Sequence, residues 1–387
     1  MSRSTDPGHF FQTDASEATR ARRAAKSGNK NGNPTVLKSK ILAVIADPYS
    51  SDCVYVAESA GCIRNVNIET KATKTFYVGP AAPVTSVAIG GSTGNTIFAG
   101  CWDKDIWSWE KDSKAMGKRF KGHADFVKTI ICARISGKSC LISGGADKKI
   151  MVWDVATGER LHTLRDKSDT MLAVQYLAID PVETTNDELA LMSSSSDSHI
   201  RRWRISLTSA SQADDLPESS MQVHETSIYT LLFDTDDEAN LWTASADGSV
   251  KCLSRARKWA TEETIEHGDY VRTVALTSDW IITAGRSEDV KVWDRATGKL
   301  FHIYEGHYEE VTGLVVIYGG KQVVSVSIDG TVRVWPLDRS GLEKARIEKE
   351  EEDKGVMKDA VPHQKESLMT AEEEAELAEL MDDSDEA

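Results

Sequence analysis

The chain has 387 residues, 40% hydrophobic and 28% charged, with a formal net charge of −15. That mixture is globular; no run of about 18 apolar residues offers a membrane span, and Met1-Ser2-Arg3-Ser4-Thr5-Asp6 lacks the apolar core of a secretory signal. Gly341 to Ala387 carries 17 acidic against 6 basic residues and the first 36 residues carry 6 basic against 3 acidic, so the body between is still acidic, which argues against broad nonspecific nucleic-acid binding.

Taken in chain order, residues 1–36 read as a disordered basic segment, with Arg20, Arg22, Arg23, Lys26 and Lys30 among small polar residues. From Ile41 a unit recurs: apolar run, turn, apolar run ending in small residues, tight turn, apolar run ending in Trp, turn. In its third copy, strands are expected at Val127–Ile131, Cys140–Gly145, Ile150–Asp154 and Arg160–Leu164. Trp109, Trp153, Trp203, Trp293 and Trp335 mark the period, about 40 to 50 residues, which is that of a four-stranded propeller blade. Seven units align, their third strands ending near Val66, Trp109, Trp153, Trp203, Leu253, Trp293 and Trp335. The reading is therefore all-β, a seven-bladed propeller over residues 37–340. The polar stretch Ser206–Ser220 reads as a long surface loop inside the fourth unit. Residues 341–387 read as an acidic tail: Lys344–Lys354 is charge-dense, and Thr370-Ala371-Glu372-Glu373 has the form of a capping box opening a short helix near 370–382. The outer strand that closes the ring is left to either terminus, residues 1–36 or Gly341–Ile347.

The third and seventh units carry two matching quartets: His123, Ser143, Asp147 and Trp153, and His307, Ser325, Asp329 and Trp335. In each, serine precedes aspartate by four residues and aspartate precedes tryptophan by six. Partial sets recur as His224, Thr243 and Asp247; as His267, Thr283, Ser287 and Trp293; as Ser193, Asp197 and Trp203; and as Asp103 and Trp109 with Ala99 in the hydroxyl's place. On these residues the chain resembles the WD-repeat family of β-propellers. The resemblance implies a hydrogen-bonded chain from indole to hydroxyl to imidazole to carboxylate, which gives buried polar groups their partners. It implies a structural tetrad and not a hydrolase triad, since a triad occurs once and needs an exposed nucleophile.

Other chemistry finds little support. Gly90-Gly91-Ser92-Thr93-Gly94 has the nucleophile-elbow pattern but lies between two strand runs, not between strand and helix. Gly137-Lys138-Ser139 lacks the first glycine of a phosphate loop. Asp234, Asp236 and Glu238 hint at a calcium loop, yet Ala239 stands where glycine is needed. No histidine spacing suits a metal, so no catalytic residue, cofactor or metal is expected. The six cysteines include no Cys-x-x-Cys pair and read as reduced core thiols of a cytoplasmic or nuclear protein. The proline of Asn33-Pro34-Thr35 blocks glycosylation.

Function is therefore expected on the loops. In this fold the loop entering a blade and the loop joining its second and third strands emerge on one face, marked by the histidine and the aspartate. Phe126, Tyr270, Glu310 and Tyr308 belong to the first kind of loop; Trp102, Arg286 and Ile328 to the second. Exposed, ordered aromatics and arginine are typical anchors of protein interfaces. The expected role is a non-enzymatic scaffold holding protein partners in a multiprotein complex. An alternative is a non-catalytic subunit of an RNA-modifying or RNA-processing complex, with any nucleic-acid contact indirect; the basic N-terminus and Arg201, Arg202 and Arg204 favour it. No membrane association is expected, and the sequence leaves the oligomeric state open.

Overall fold

In the computed structural model, residues 14–359 are described except 74, 214–219 and 237. Seven antiparallel sheets follow one another along the chain; in six the strands lie in chain order from inside to outside, and in the seventh the outermost strand comes from the N-terminal segment. The third blade is Val127–Ile135, Lys138–Gly145, Ile150–Asp154 and Arg160–Leu164. Its first two strands run longer than the sequence suggests. Ser136 and Gly137, at φ 46° and 76°, make a two-residue hairpin that pairs Ile135 with Lys138. Two adjacent positive φ angles are what such a turn requires.

The apolar cores lie between blades. One unites Ile142, Ile150 and Val152 of the third blade with Val174, Leu191 and Trp203 of the fourth. Another joins Tyr55 and Ile63 of the first to Ile97 and Trp109 of the second. A third spans Val324 and Val332 of the seventh and Val54 and Val56 of the first. Each sheet is apolar on both faces because each face meets a neighbour. A solitary blade would expose both.

The inner strands share one irregularity. In every blade the pairing with the second strand skips the residue after the first, leaving Leu42, Thr85, Lys128, Gln175, Tyr229, Arg272 and Thr312 as bulges. A bulge turns its side chain out of the alternation of the strand. All seven line the central channel.

The N-terminal reading needs correction. Residues 14–26 form a helix, α1 (Asp14–Lys26), rich in Ala and Arg, and residues 29–37 are held on the ring. Thr35 pairs with Val332 and Val36 with Thr331, so the N-terminal segment supplies the outer strand of the seventh blade. Gly32 leads into it at φ 65°, and a Cβ there would lie 2.7 Å from the Trp335 ring. Composition suggested disorder because α1 has only alanines as apolar residues; its hold comes from charge, described below.

The alternative closing segment, Gly341–Ile347, lies instead in a helix, α2 (Arg339–Asp359), which belongs to a second compact unit beginning at Arg339. Ion pairs one turn apart, Arg346–Glu343 at 2.9 Å and Arg346–Glu350 at 3.6 Å, explain why so charged a stretch is helical. The helix expected near 370–382 lies outside the described residues. The polar stretch of the fourth blade is also not all loop. Ala210–Gln212 and Ser220–Gln222 both pair with His199–Ile205, giving a divided outer strand. Among the described residues no helix is long and apolar enough to cross a membrane.

Candidate functional site

The quartets lie inside the blades. In the third, Trp153 Nε1 donates to Ser143 Oγ at 2.9 Å, Ser143 Oγ lies 2.8 Å from His123 Nε2, and His123 Nδ1 lies 2.9 Å from Asp147 Oδ1. With the indole donating, the hydroxyl passes its own proton toward Nε2, and Nδ1–H points at the carboxylate. In the seventh the same steps measure 2.8, 2.7 and 2.9 Å through Trp335, Ser325, His307 and Asp329. Ser143, Ser325 and His307 have no exposed surface. The arrangement of hydroxyl, imidazole and carboxylate is that of a triad, but no substrate reaches either serine oxygen.

The incomplete units find substitutes. In the fifth, His224 bridges Asp247 at 2.8 Å and Thr243 at 2.7 Å, with Leu253 filling the indole's space. In the fourth, Arg201 takes the place of histidine. It is 1% exposed and reaches Asp197 at 2.7 Å and Asp166 at 3.1 Å. Burial works against the Asp166 charge, yet hydrogen bonds from Ser168, Arg201 and Thr170 hold its carboxyl well below the usual range. In the second blade Trp109 donates to the Val78 carbonyl at 3.1 Å, and Trp107 donates to Asp103 at 2.8 Å. Arg64 against Glu58 serves the first blade.

The sixth blade is the exception with a pH consequence. Its ring is reversed: His267 Nδ1 meets Thr283 at 2.8 Å and Nε2 meets Ser287, not a carboxylate, at 3.0 Å. Burial, reinforced by Lys291, pushes the imidazole down to about 3 from 6.5. As pH falls below 6.5 the unfolded chain takes up this proton and the folded chain does not. Stability should therefore fall between pH 6.5 and about 3, by up to about 1.4 kcal/mol per pH unit from this group. Ser287→Asp gives the ring a carboxylate and should flatten the decline. Denaturation midpoints from pH 7 to 4 that fall equally steeply in both proteins would refute this assignment.

The other motifs are occupied structurally. Residues 90–94 join the strands Val84–Gly90 and Thr96–Cys101, with Gly91 and Gly94 at φ 89° and 75°. Arg295 binds Asp234 and Asp236, and Asn240 binds Glu238 at 2.9 Å, so the acidic loop is neutralised by its neighbours. Among the described residues no His, Cys, Asp and Glu cluster could hold a metal. All six cysteines are free. Burial pushes Cys101, Cys132 and Cys252 up to about 12, which keeps them as thiols.

On the loop face, Trp102 and Phe126 are 43% and 38% exposed and stack on each other across two blades, centroids 4.9 Å apart and planes within 15°. Tyr270 is 46% exposed, and the exposed Arg286 lies over its ring at 5.0 Å. The structure thus brings four of the six candidates together as two flat pairs. Tyr308 and Ile328 are only half-exposed, and Tyr308 donates its hydroxyl to the Asp329 carbonyl at 3.1 Å.

The same face carries α1. Arg22, Arg23 and Lys26 converge on Glu288 at 3.2, 3.3 and 3.5 Å, Arg23 also reaches Glu309 at 2.8 Å, and the Glu288 side chain is 1% exposed. Sequence reading missed Glu288, because nothing local distinguishes it from other surface glutamates. The arginines that favoured an RNA-associated role are engaged as well. Arg201 is buried among aspartates, while Arg202 and Arg204 bind Glu183 at 2.7 and 2.8 Å. Cations already matched to carboxylates are poorly placed to neutralise phosphates, so that alternative loses its main support.

A ring of seven antiparallel blades, two of them pinned by complete Trp–Ser–His–Asp chains, defines a repeat propeller. The family profile described as WD domain, G-beta repeat matches residues 115–154 and 298–336, the two units with complete quartets. An uncharacterized WD repeat-containing protein of Schizosaccharomyces pombe is 33% identical over 390 residues, covering 98% of this chain and 99% of that protein. The chain belongs to the WD-repeat family. The nuclear distribution protein nudF of Aspergillus niger is 26% identical over 68% of this chain and 52% of its own length. Cell division control protein 4 of Saccharomyces cerevisiae is 24% identical over 63% of this chain and 27% of its own length.

Proposed function

We propose that this protein is a non-enzymatic interaction scaffold, a propeller that holds protein partners in a multiprotein complex of the cytoplasm or nucleus. The observation that carries this reading is the stacked Trp102–Phe126 pair, open to solvent on a rigid face. Large aromatics held flat and exposed present apolar area with little further entropy to lose, as interface anchors do. Tyr270 with Arg286 repeats the device in the sixth blade, and Tyr308 and Ile328 extend the surface. The comparisons support the reading in kind: relatives named for nuclear distribution and for cell-division control align with 68% and 63% of this chain.

The test is affinity purification of wild type beside Trp102→Ala/Arg286→Ala, with melting temperatures compared to establish that both fold. Loss of two anchors should weaken the specific partners by about thirtyfold, the effect of a 2 kcal/mol hot spot. Identical recovery of every partner by the folded double variant would sink the assignment of this surface.

A further inference from the structure

The seven bulged side chains make a collar where the inner strands start, at the loop-face end of a channel of about 570 Å³. Two of the seven, Lys128 and Arg272, are cations, and none is a carboxylate. In a chain of net charge −15 such a composition is unusual. Among the described residues neither cation forms an ion pair: Lys128 donates to Gln175 Oε1 at 2.9 Å, and Arg272 lies over the Tyr229 ring at 4.4 Å. Burial pulls the Lys128 ammonium down, and Arg272 adds to the effect, only partly opposed by Asp125. Two half-buried like charges that feel each other have an energetic use for an anion between them.

Sequence places a rim aromatic two residues before each of these cations. Phe126-Val127-Lys128 and Tyr270-Val271-Arg272 are the same aromatic–apolar–cation step in the third and sixth blades. The middle residue is buried in each; the aromatic before it stands exposed on the rim, and the bulge turns the cation after it into the channel. Trp102 and Arg286 enlarge the two rim platforms. A small inorganic anion would use the collar and ignore the platforms. A peptide uses both.

We infer that the channel mouth binds an acidic peptide segment of a protein partner, its Asp or Glu side chains seated between Lys128 and Arg272 and its flanking apolar residues on Trp102–Phe126 and Tyr270. This rests on the scaffold reading and gives its partner a chemistry.

Selection of displayed random peptides on the full chain tests it, followed by fluorescence anisotropy of a labelled selected peptide at low and high salt. The expected selection is rich in Asp and Glu next to Leu or aromatic residues, with affinity falling as salt rises. Lys128→Met/Arg272→Met should weaken that peptide about tenfold or more. The change should leave the melting temperature in place, because methionine keeps the stems' length and apolar character. Lys128→Glu should shift the selection toward Lys and Arg, a reversal that loss of packing alone does not produce. Neutral or basic peptides on wild type, or acidic peptides indifferent to the double methionine variant, would overturn the inference. The scaffold reading survives that outcome if the peptides still require Trp102. If no selected peptide depends on either Trp102 or the collar, both readings fall.

Discussion

Removal of residues 1–36 should lower stability by on the order of 5 kcal/mol while leaving six blades unaltered in sequence. The segment does three things at the seam of the ring. Its backbone pairs with the seventh blade: Val334 N donates to the Gly32 carbonyl at 2.8 Å, and Thr35 and Val36 pair with Val332 and Thr331. It supplies Asn29 Oδ1 at 2.7 Å, and the Asn31 carbonyl, to the guanidinium of Arg333, a side chain 1% exposed. It also packs Gly32 on the Trp335 ring. Several hydrogen bonds at about 1 kcal/mol each, plus a buried cation left with the Thr331 hydroxyl alone, give the estimate. Denaturant midpoints of full-length and truncated chains measure it. A truncated protein with an unchanged midpoint would mean that another segment closes the seam.

Asp329→Ala should cost about 3 kcal/mol, the upper end of the about 1–3 kcal/mol that an unpartnered buried polar group costs, and Asp147→Ala less. Both carboxylates face a histidine, but their burial differs: the Asp329 side chain has no exposed surface and that of Asp147 is 4% exposed. Asp329 further accepts from Thr331 N and Thr331 Oγ1, each at 2.7 Å, and from Tyr308 N at 3.2 Å. Its removal leaves the Nδ1 of a fully buried imidazole facing only the Thr331 hydroxyl, at 3.0 Å, and leaves Tyr308 N without its acceptor. Although burial opposes the charge, His307 and Thr331 hold the Asp329 carboxyl below its ordinary range. Its contribution is thus present above about pH 3.8 and lost as pH falls further. Thermal unfolding at neutral pH compares the two variants; equal loss would deny the difference in burial its role.

The architecture was legible in the sequence because its signals are periodic. Trp153 and Trp335 sit ten residues after Ser143 and Ser325, and the hydrogen bonds run along that spacing. Where a blade replaces its histidine, the signal is spread too thin to read. Arg201 meets Asp166 from 35 positions away, too far for a local pattern to join them. The exposed pairs were found as single residues and not as pairs. Trp102 and Phe126 belong to neighbouring blades, so only the packing of blade on blade brings their faces together. The collar had a visible trace, Phe-Val-Lys echoed by Tyr-Val-Arg, whose meaning depends on the bulge that aims the third residue inward. The N-terminal helix was misread for a related reason: its counter-charges, Glu288 and Glu309, lie more than 260 positions downstream.

Seven equivalent sectors give a ring no bearing of its own. The triple clasp of Arg22, Arg23 and Lys26 on Glu288 breaks that equivalence, fixing one azimuth beside the sixth and seventh sectors. The loop face thus carries a reference mark of its own, set by the chain's first helix.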